Sequence, residues 1–518
     1  MASNIRWSAG SSLGAALTLI CGGLPAAASG ELVVRVSQGA LRGTSADGVE
    51  AFQGIPFAQP PVGDYRWRPP GPAAGWSGVR DATAPGAACV QGSGNRSPKI
   101  QSEDCLFVNV WRPAGAEAGG KLPVMLWIHG GGFVAGVSTS PMFNGTHLAQ
   151  KGVILVSFNY RLGRLGFFAH PALSAEAGTG LTANYGTMDQ IAALKWVRAN
   201  IAAFGGDPDN ITLFGESSGG QSVNTLMVSP LSRGLFAKAI SESGLGRNLT
   251  RNAVYPVRGD AAVTGEKAGL ALAAKLGVPG TDAAALKALR ALPADQFVAP
   301  LTSEPGAILD GILLPEPIAK AFAAGHEAKV PYIVGANSCE RCGVQAILDD
   351  PDATIARAGP LRARLIAIYG TDPKVAAIDF ASDADHVEPS RELARLHARN
   401  GLPSWHYNFG YLPSAMTGRF VGVPHGAEVP FVFGTFADGQ DPPREANVDD
   451  RRVSEELMTF WTNFAKTSAP GTAGNVRWPR YEAQTNMTLT FSTSGPKAVS
   501  DFRKDRLDFA ESVAMASK

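Results

Sequence analysis

Short apolar, β-branched runs recur along the chain, and each gives way abruptly to polar or glycine-rich positions. Val124 to Ile128 leads into His129-Gly130-Gly131-Gly132, and Val153 to Phe158 leads into Asn159-Tyr160-Arg161. Ile211 to Phe214 leads into Gly215-Glu216-Ser217-Ser218-Gly219-Gly220, and Val330 to Val334 leads into Gly335 and then Glu340. Runs this short, without polar alternation, predict strands buried on both faces of a largely parallel sheet. Between them the period changes. Ile191, Leu194, Val197, Ile201 and Phe204 recur at three- and four-residue steps, which predicts one face of a helix that Gly205-Gly206 then ends. Residues 260–325 and 350–400 predict mostly helix, including Gly265 to Leu276 and Arg391 to Arg399, placed to extend or cover the catalytic face. Strand–helix alternation of this kind predicts an α/β fold with helices flanking the sheet, and ligand sites in such sheets lie beyond the carboxyl ends of the strands. No linker, charge run or repeat divides the chain.

The first 29 residues follow another pattern. Arg6, the apolar stretch from Leu13 to Leu24 and the small residues Ala26-Ala27-Ala28-Ser29 predict a cleavable export signal rather than structure. The stretch is shorter than the roughly 20 residues of a membrane span, so a stable membrane anchor is not expected. Ile20 before Cys21 is bulky where a lipidation signal carries a small residue. The expectation is a secreted or periplasmic protein with a signal at 1–29 and one domain at 30–518. Removal of Cys21 leaves Cys89, Cys105, Cys339 and Cys342, an even number that predicts disulfides in an exported chain. A Cys89–Cys105 bridge would close a loop worth about 3 kcal/mol in the chain-entropy model. Cys339-x-x-Cys342 has no second pair to complete a zinc site of about four ligands, so a local staple is expected there. Forty-six basic against 45 acidic residues leave a net charge of +1, without the basic footprint of a nucleic-acid binder.

Chemistry enters at Gly215-Glu216-Ser217-Ser218-Gly219, a G-x-S-x-G elbow between a strand and a helix predicted over Gln221 to Met227. The serine hydroxyl must point out of a sharp turn, and the glycines keep the flanking backbone clear of it. The following helix aims free amides and its positive dipole end at the serine. His129-Gly130-Gly131-Gly132 is the H-G-G-G type loop whose amides can bind an oxyanion. A phosphate loop would need Gly-Lys-Ser/Thr, and Phe133 follows instead. An aspartate at the elbow, as a haloalkane dehalogenase requires, is absent.

The stretch from Phe204 to Gly219 resembles the nucleophile signature of the type-B carboxylesterase family, which includes cholinesterases and non-catalytic adhesion domains. Glu103 to Val110 resembles the family's second signature. Gly54 to Ala58, Pro60 to Gly63 and Arg66 to Pro69 resemble its N-terminal region, and Phe464 to Thr467 and Trp478 to Tyr481 its C-terminal one. The likeness runs from about residue 31 to the end and implies the α/β-hydrolase fold. It places oxyanion donors on Gly131, Gly132 and Ser218, the last where alanine is usual. The segment Val423 to Gly434 resembles the family's histidine segment, which singles out His425 from eight histidines. Glu340 lies between Ser217 and His425 in the expected chain order, although Arg341 replaces the family's glycine. Glu216, Ser243, Asp189 and Arg161 match other polar positions of the family. Glu216 would stabilise a charged histidine or serve structurally, and Ser243 would support the triad.

The resulting expectation is a serine ester hydrolase with a Ser217–Glu340–His425 triad, an acyl-serine intermediate, a small-molecule ester as its partner, and neither cofactor nor metal. The rival is an adhesion or ligand-binding module on the same fold, but such relatives typically lose a triad member. Choline esters are not the expected substrate. No tryptophan lies between Cys89 and Cys105, and Gly343 and Val344 stand where cholinesterases carry aromatic rings. Arg341 is expected at the surface rather than facing the substrate.

Overall fold

The computed structural model describes Met1 and residues 31–92, 98–246, 257, 264–298, 306–436 and 446–516. Apart from Met1, the expected export signal, Cys21 included, lies outside the described residues. The central sheet contains β1 (Thr44–Ala46), β2 (Val49–Pro56), β3 (Phe107–Pro113), β4 (Leu122–Ile128), β5 (Ile154–Phe158), β6 (Gly206–Glu216), β7 (Lys238–Glu242), β8 (Tyr332–Asn337), β9 (Ser404–Phe409), β10 (Thr488–Phe491) and β11 (Lys497–Val499). Their spatial order is β11-β10-β9-β8-β7-β6-β4-β5-β3-β2-β1. The strands from β5 to β10 are parallel to one another, and antiparallel strands finish both edges. Chain order reverses around β4, β5 and β6, and the site forms beside that reversal, as the topology of such sheets dictates.

β4 explains why the strand runs lack polar alternation. Val124, Leu126 and Ile128 enter the core on one face of the sheet, and Met125 and Trp127 enter the core on the other. All five are fully buried. Trp127 packs between Phe214 and Phe433, with ring centroids 4.8 and 4.9 Å away. Trp127→Ala would leave a large void there and cost about 3–5 kcal/mol.

Four helices matter for the site: α1 (Tyr185–Asn200), α2 (Ser218–Val228), α3 (Glu388–Arg399) and α4 (Val448–Thr467). α1 runs into a tighter turn over Ile201–Phe204 that Gly205 ends in the left-handed region, at φ 86°. β6 then starts at Gly206, earlier than its apolar run, with an irregular register up to Ile211. Residues 264–298 and 306–325 hold the helices Gly265–Lys275, Ala283–Ala291 and Ile318–Ala324 between turns. Residues 350–400 are more continuously helical, and a π-helical turn over Asp383–Val387 leads into α3. Among the described residues no helix is long and apolar enough to cross a membrane.

Candidate active site

Ser217 stands between the last residue of β6 and the first of α2, at φ 57° and ψ −122°. A non-glycine residue in that region stores roughly 1–3 kcal/mol of strain, which the surroundings must over-determine. Here the Ser217 amide donates to Glu242 O at 2.9 Å. A Cβ on Gly215 would come within 2.6 Å of Ile128 O, and one on Gly219 within 2.0 Å of the same atom. The elbow glycines are therefore a packing requirement: α2 crosses the end of β4 too closely for any side chain.

His425 Nε2 lies 2.8 Å from Ser217 Oγ, and His425 Nδ1 lies 2.5 Å from Glu340 Oε2. A carboxylate can only accept, so Nδ1 carries a proton, and in the neutral ring the Nε2 lone pair faces the serine hydroxyl. The other Glu340 oxygen accepts from the Asn337 amide and from Ser243 Oγ, both at 2.6 Å. Burial would raise the Glu340 carboxyl, but the imidazoles of His386 and His425 and the Ser243 hydroxyl outweigh it and hold it near 2. Two loops are stitched together to make this geometry. Cys339 N donates to Val423 O at 3.0 Å, Val423 N to Ser338 Oγ at 3.0 Å, and Asn337 Nδ2 to Pro424 O at 2.9 Å.

The glycine loop follows β4 directly. Gly131 and Gly132 have φ of 111° and 63°, and a Cβ on Gly131 would meet Ala135 O at 2.1 Å. A Cβ on Gly130 would lie 3.1 Å from that of Ser217, so the loop runs directly beside the elbow. Among the described residues no backbone carbonyl pairs with the amides of Gly131, Gly132 or Ser218. That leaves these three amides without a backbone partner in the segments flanking the elbow. His129 supports the loop from behind: its ring stacks on Tyr160 at 4.5 Å and Nδ1 meets Gly130 O at 2.8 Å. Burial lowers His129 to about 4, so it is neutral near pH 7. Gln91 brackets the far end, exchanging bonds of 2.9 and 2.8 Å with Gly136. Two residues before it, Cys89 is bonded to Cys105.

Carboxylates surround the histidine. Glu216, 8% exposed, places Oε1 3.3 Å from His425 Nε2. Burial raises Glu216 to about 7, with His425 pulling the other way. Burial would lower His425, but Glu216 and Glu340 outweigh it and raise the imidazole above its usual range. The ring is 34% exposed, so water screens part of that pull. Behind them lie two fully buried acids that motif reading passes over. Glu242 accepts from Trp461 Nε1 at 2.8 Å, and burial raises it to about 8. Glu428 accepts from Asn337 Nδ2 and is also raised by burial.

Of the other expected residues, Asp189 and Arg161 form a buried double contact at 2.7 and 2.8 Å, and Arg161 Nη1 also reaches Arg68 O. This is a structural clamp. Cys339 and Cys342 are bonded within the loop that carries Glu340. Arg341 lies partly at the surface, and its side chain is held by Asp385 at 3.0 Å while its amide donates to Ser382 Oγ. Asp385 also takes Arg357 at 2.5 Å. The arginine in place of glycine is thus matched by an acid in the π-helical turn, and the loop is tied down rather than loosened.

Known proteins similar to this chain are esterases. A carboxylesterase family profile matches residues 30–359 and 370–510. The fumonisin B1 esterase of Sphingopyxis macrogoltabida is 36% identical over 89% of this chain and 87% of its own. The para-nitrobenzyl esterase of Bacillus subtilis strain 168 is also 36% identical, over 88% of this chain and 94% of its own. A solved para-nitrobenzyl esterase structure superposes with a TM-score of 0.78 at 32% identity, covering 93% of this chain and 99% of that one.

Proposed function

Since this chain belongs to the carboxylesterase family, we propose that its ester hydrolysis runs through an acyl group carried on Ser217, with His425 as general base and Glu340 as its orienting acid. The observation that carries this reading is the hydrogen-bonded line from Ser217 Oγ through both nitrogens of His425 to Glu340. Ser217 Oγ attacks the ester carbonyl carbon while its proton passes to His425 Nε2. The carbonyl electron pair moves onto oxygen, where the amides of Gly131, Gly132 and Ser218 receive it. Losing one such donor typically costs 10²–10³ in rate. The tetrahedral intermediate collapses, and His425 returns the proton to the departing alkoxide. Water then repeats the sequence on the acyl-serine and releases the acid.

The substrate class is small carboxylic esters. Arg341 is engaged by Asp385 rather than held out toward a substrate, which favours uncharged esters over anionic ones. Residues 1–29 act as an export signal in this reading, 30–518 as one catalytic domain, and both cysteine pairs as disulfides formed after export. N-terminal sequencing of protein recovered outside the cytoplasm should then begin near residue 30. The decisive measurement is p-nitrophenyl acetate hydrolysis by Ser217→Ala and His425→Gln. Each should lose on the order of 10⁴-fold or more in kcat, and wild-type turnover by Ser217→Ala would reject the mechanism.

A further inference from the structure

His386 is a second imidazole packed against the first. Its ring centroid lies 5.1 Å from that of His425, it is 4% exposed, and its Nδ1 is buried without a hydrogen-bond partner. A buried ring nitrogen without a partner costs free energy unless something uses it. The residue is held firmly: it belongs to the π-helical turn Asp383–Val387, which is pinned on both sides. Asp383 takes Arg503 at 3.0 Å and Arg506 at 2.6 Å, and Asp385 takes Arg341 and Arg357. Single π-turns inside helices concentrate at functional sites. One donor atom each from Glu340, His386 and His425 lies within 4.8 Å of the others. Two imidazoles and one carboxylate form a donor set that suits zinc, with bonds of about 2.0–2.2 Å and an open position for water.

We propose that Glu340, His386 and His425 form an inhibitory site for a soft divalent cation such as Zn²⁺, which switches the esterase off by taking its base. The carboxylates beside the two rings favour a cation, against the nearby Arg341, which pairs with Asp385. Glu216 adds a further carboxylate beside His425, and no Lys or Arg pairs with Glu340 or Glu216 among the described residues. Burial holds His386 down to about 3, so its lone pair is free at neutral pH. The exposed third of His425 is the entry route. Coordination at Nδ1 moves the ring proton to Nε2, and coordination at Nε2 occupies that lone pair directly. In either case the Ser217 hydroxyl loses its acceptor. The loss of activity, though not the binding, rests on the triad assigned above.

The test uses the mature chain with ZnCl₂ as probe and MgCl₂ as control. Isothermal calorimetry on Ser217→Ala, which needs no turnover, should show one zinc per chain and no magnesium binding. Zinc should inhibit p-nitrophenyl acetate hydrolysis by the wild type at the concentration that half-saturates the calorimetric site, with full recovery in EDTA. His386→Asn and His386→Gln should each weaken both readouts by about tenfold or more. Absence of zinc binding to folded Ser217→Ala would overturn the proposal on its own, even if both His386 variants failed to fold. Folded His386 variants with wild-type zinc affinity would overturn it too. Calorimetric binding with no zinc effect on turnover would overturn the inhibitory role. A triad reading that fails would be recognised separately, by turnover that survives Ser217→Ala.

Discussion

Glu216 Oε1 lies 3.3 Å from His425 Nε2, the same nitrogen that meets Ser217 Oγ at 2.8 Å. In the proposed mechanism a carboxylate there stabilises the imidazolium that forms as the serine gives up its proton. It also holds the resting histidine protonated to a higher pH, so it aids the transition state and narrows the active pH range together.

Glu216→Gln separates the two effects. His425 must be neutral to act as a base, so kcat/KM rises with pH through its raised pKa. Removing one negative charge at this distance should move that acid limb down by roughly 0.5–1 pH unit. The limb should also steepen toward a single proton, because Glu216 no longer titrates beside it. At the pH optimum kcat should fall about tenfold or less, from weaker imidazolium stabilisation. A pH–rate profile that moves upward, or stays in place, would sink this account of Glu216.

Ser243 holds Glu340 from the side opposite His425, at 2.6 Å. Ser243→Ala leaves the Asn337 amide as the remaining partner on Oε1 and should lower kcat on the order of tenfold, with KM little changed. The Glu340 carboxyl is held below its usual range. Such a group adds stability above its unfolded pKa and loses it as pH falls through the folded one. Losing Ser243 narrows that gap, so the variant should unfold at a higher pH in an acid titration followed by circular dichroism. An unchanged acid midpoint would count against the bond.

The two cysteine pairs should differ in kind. Cys89 and Cys105 are separated by 16 positions and Cys339 and Cys342 by 3. In the loop-entropy picture their removal costs about 3 and about 2 kcal/mol respectively. Function should rank them the other way. The shorter pair sits beside Glu340, and Cys339 N anchors the histidine loop through Val423. A Cys339→Ser/Cys342→Ser double variant should therefore lose more kcat per degree of Tm than Cys89→Ser/Cys105→Ser. Melting curves and kcat measured on the same preparations decide it.

The site was legible where its chemistry is local. The elbow and the glycine loop each sit in a few consecutive residues, and steric demands fix their composition. Strands were legible where they are apolar on both faces, as in β4, β5, β6 and β8. Several strands that escaped detection bury polar residues. β2 and β3 share the Arg112–Glu50 pair at 2.6 Å, β7 carries Lys238 and Glu242, and β9 carries His406 and Asn408. Their partners are distant in sequence, so the pattern reads as surface when it is core. His386 escaped for the same reason: its relation to His425 is set by a π-helical turn 39 positions earlier, which no short motif encodes.

Arg341 is the clearest departure from the family pattern, and its environment predicts how little it governs substrate charge. Its side chain is 33% exposed and paired with Asp385, which also takes Arg357. Arg341→Gly restores the family's residue, breaks one partly exposed pair and leaves Asp385 with Arg357. Such pairs contribute about 0–1 kcal/mol, so Tm should fall by only a few degrees. A free cation near the substrate would favour an anionic ester, and its removal would cost that ester selectively. The Asp385 contact turns the guanidinium away from that role and offsets part of its field, shared with Arg357. The ratio of kcat/KM for a neutral ester to that for an anionic ester of equal acyl length should thus change less than about threefold, or roughly 0.6 kcal/mol. A tenfold selective loss on the anionic ester would mean that Arg341 turns from Asp385 toward the substrate during turnover.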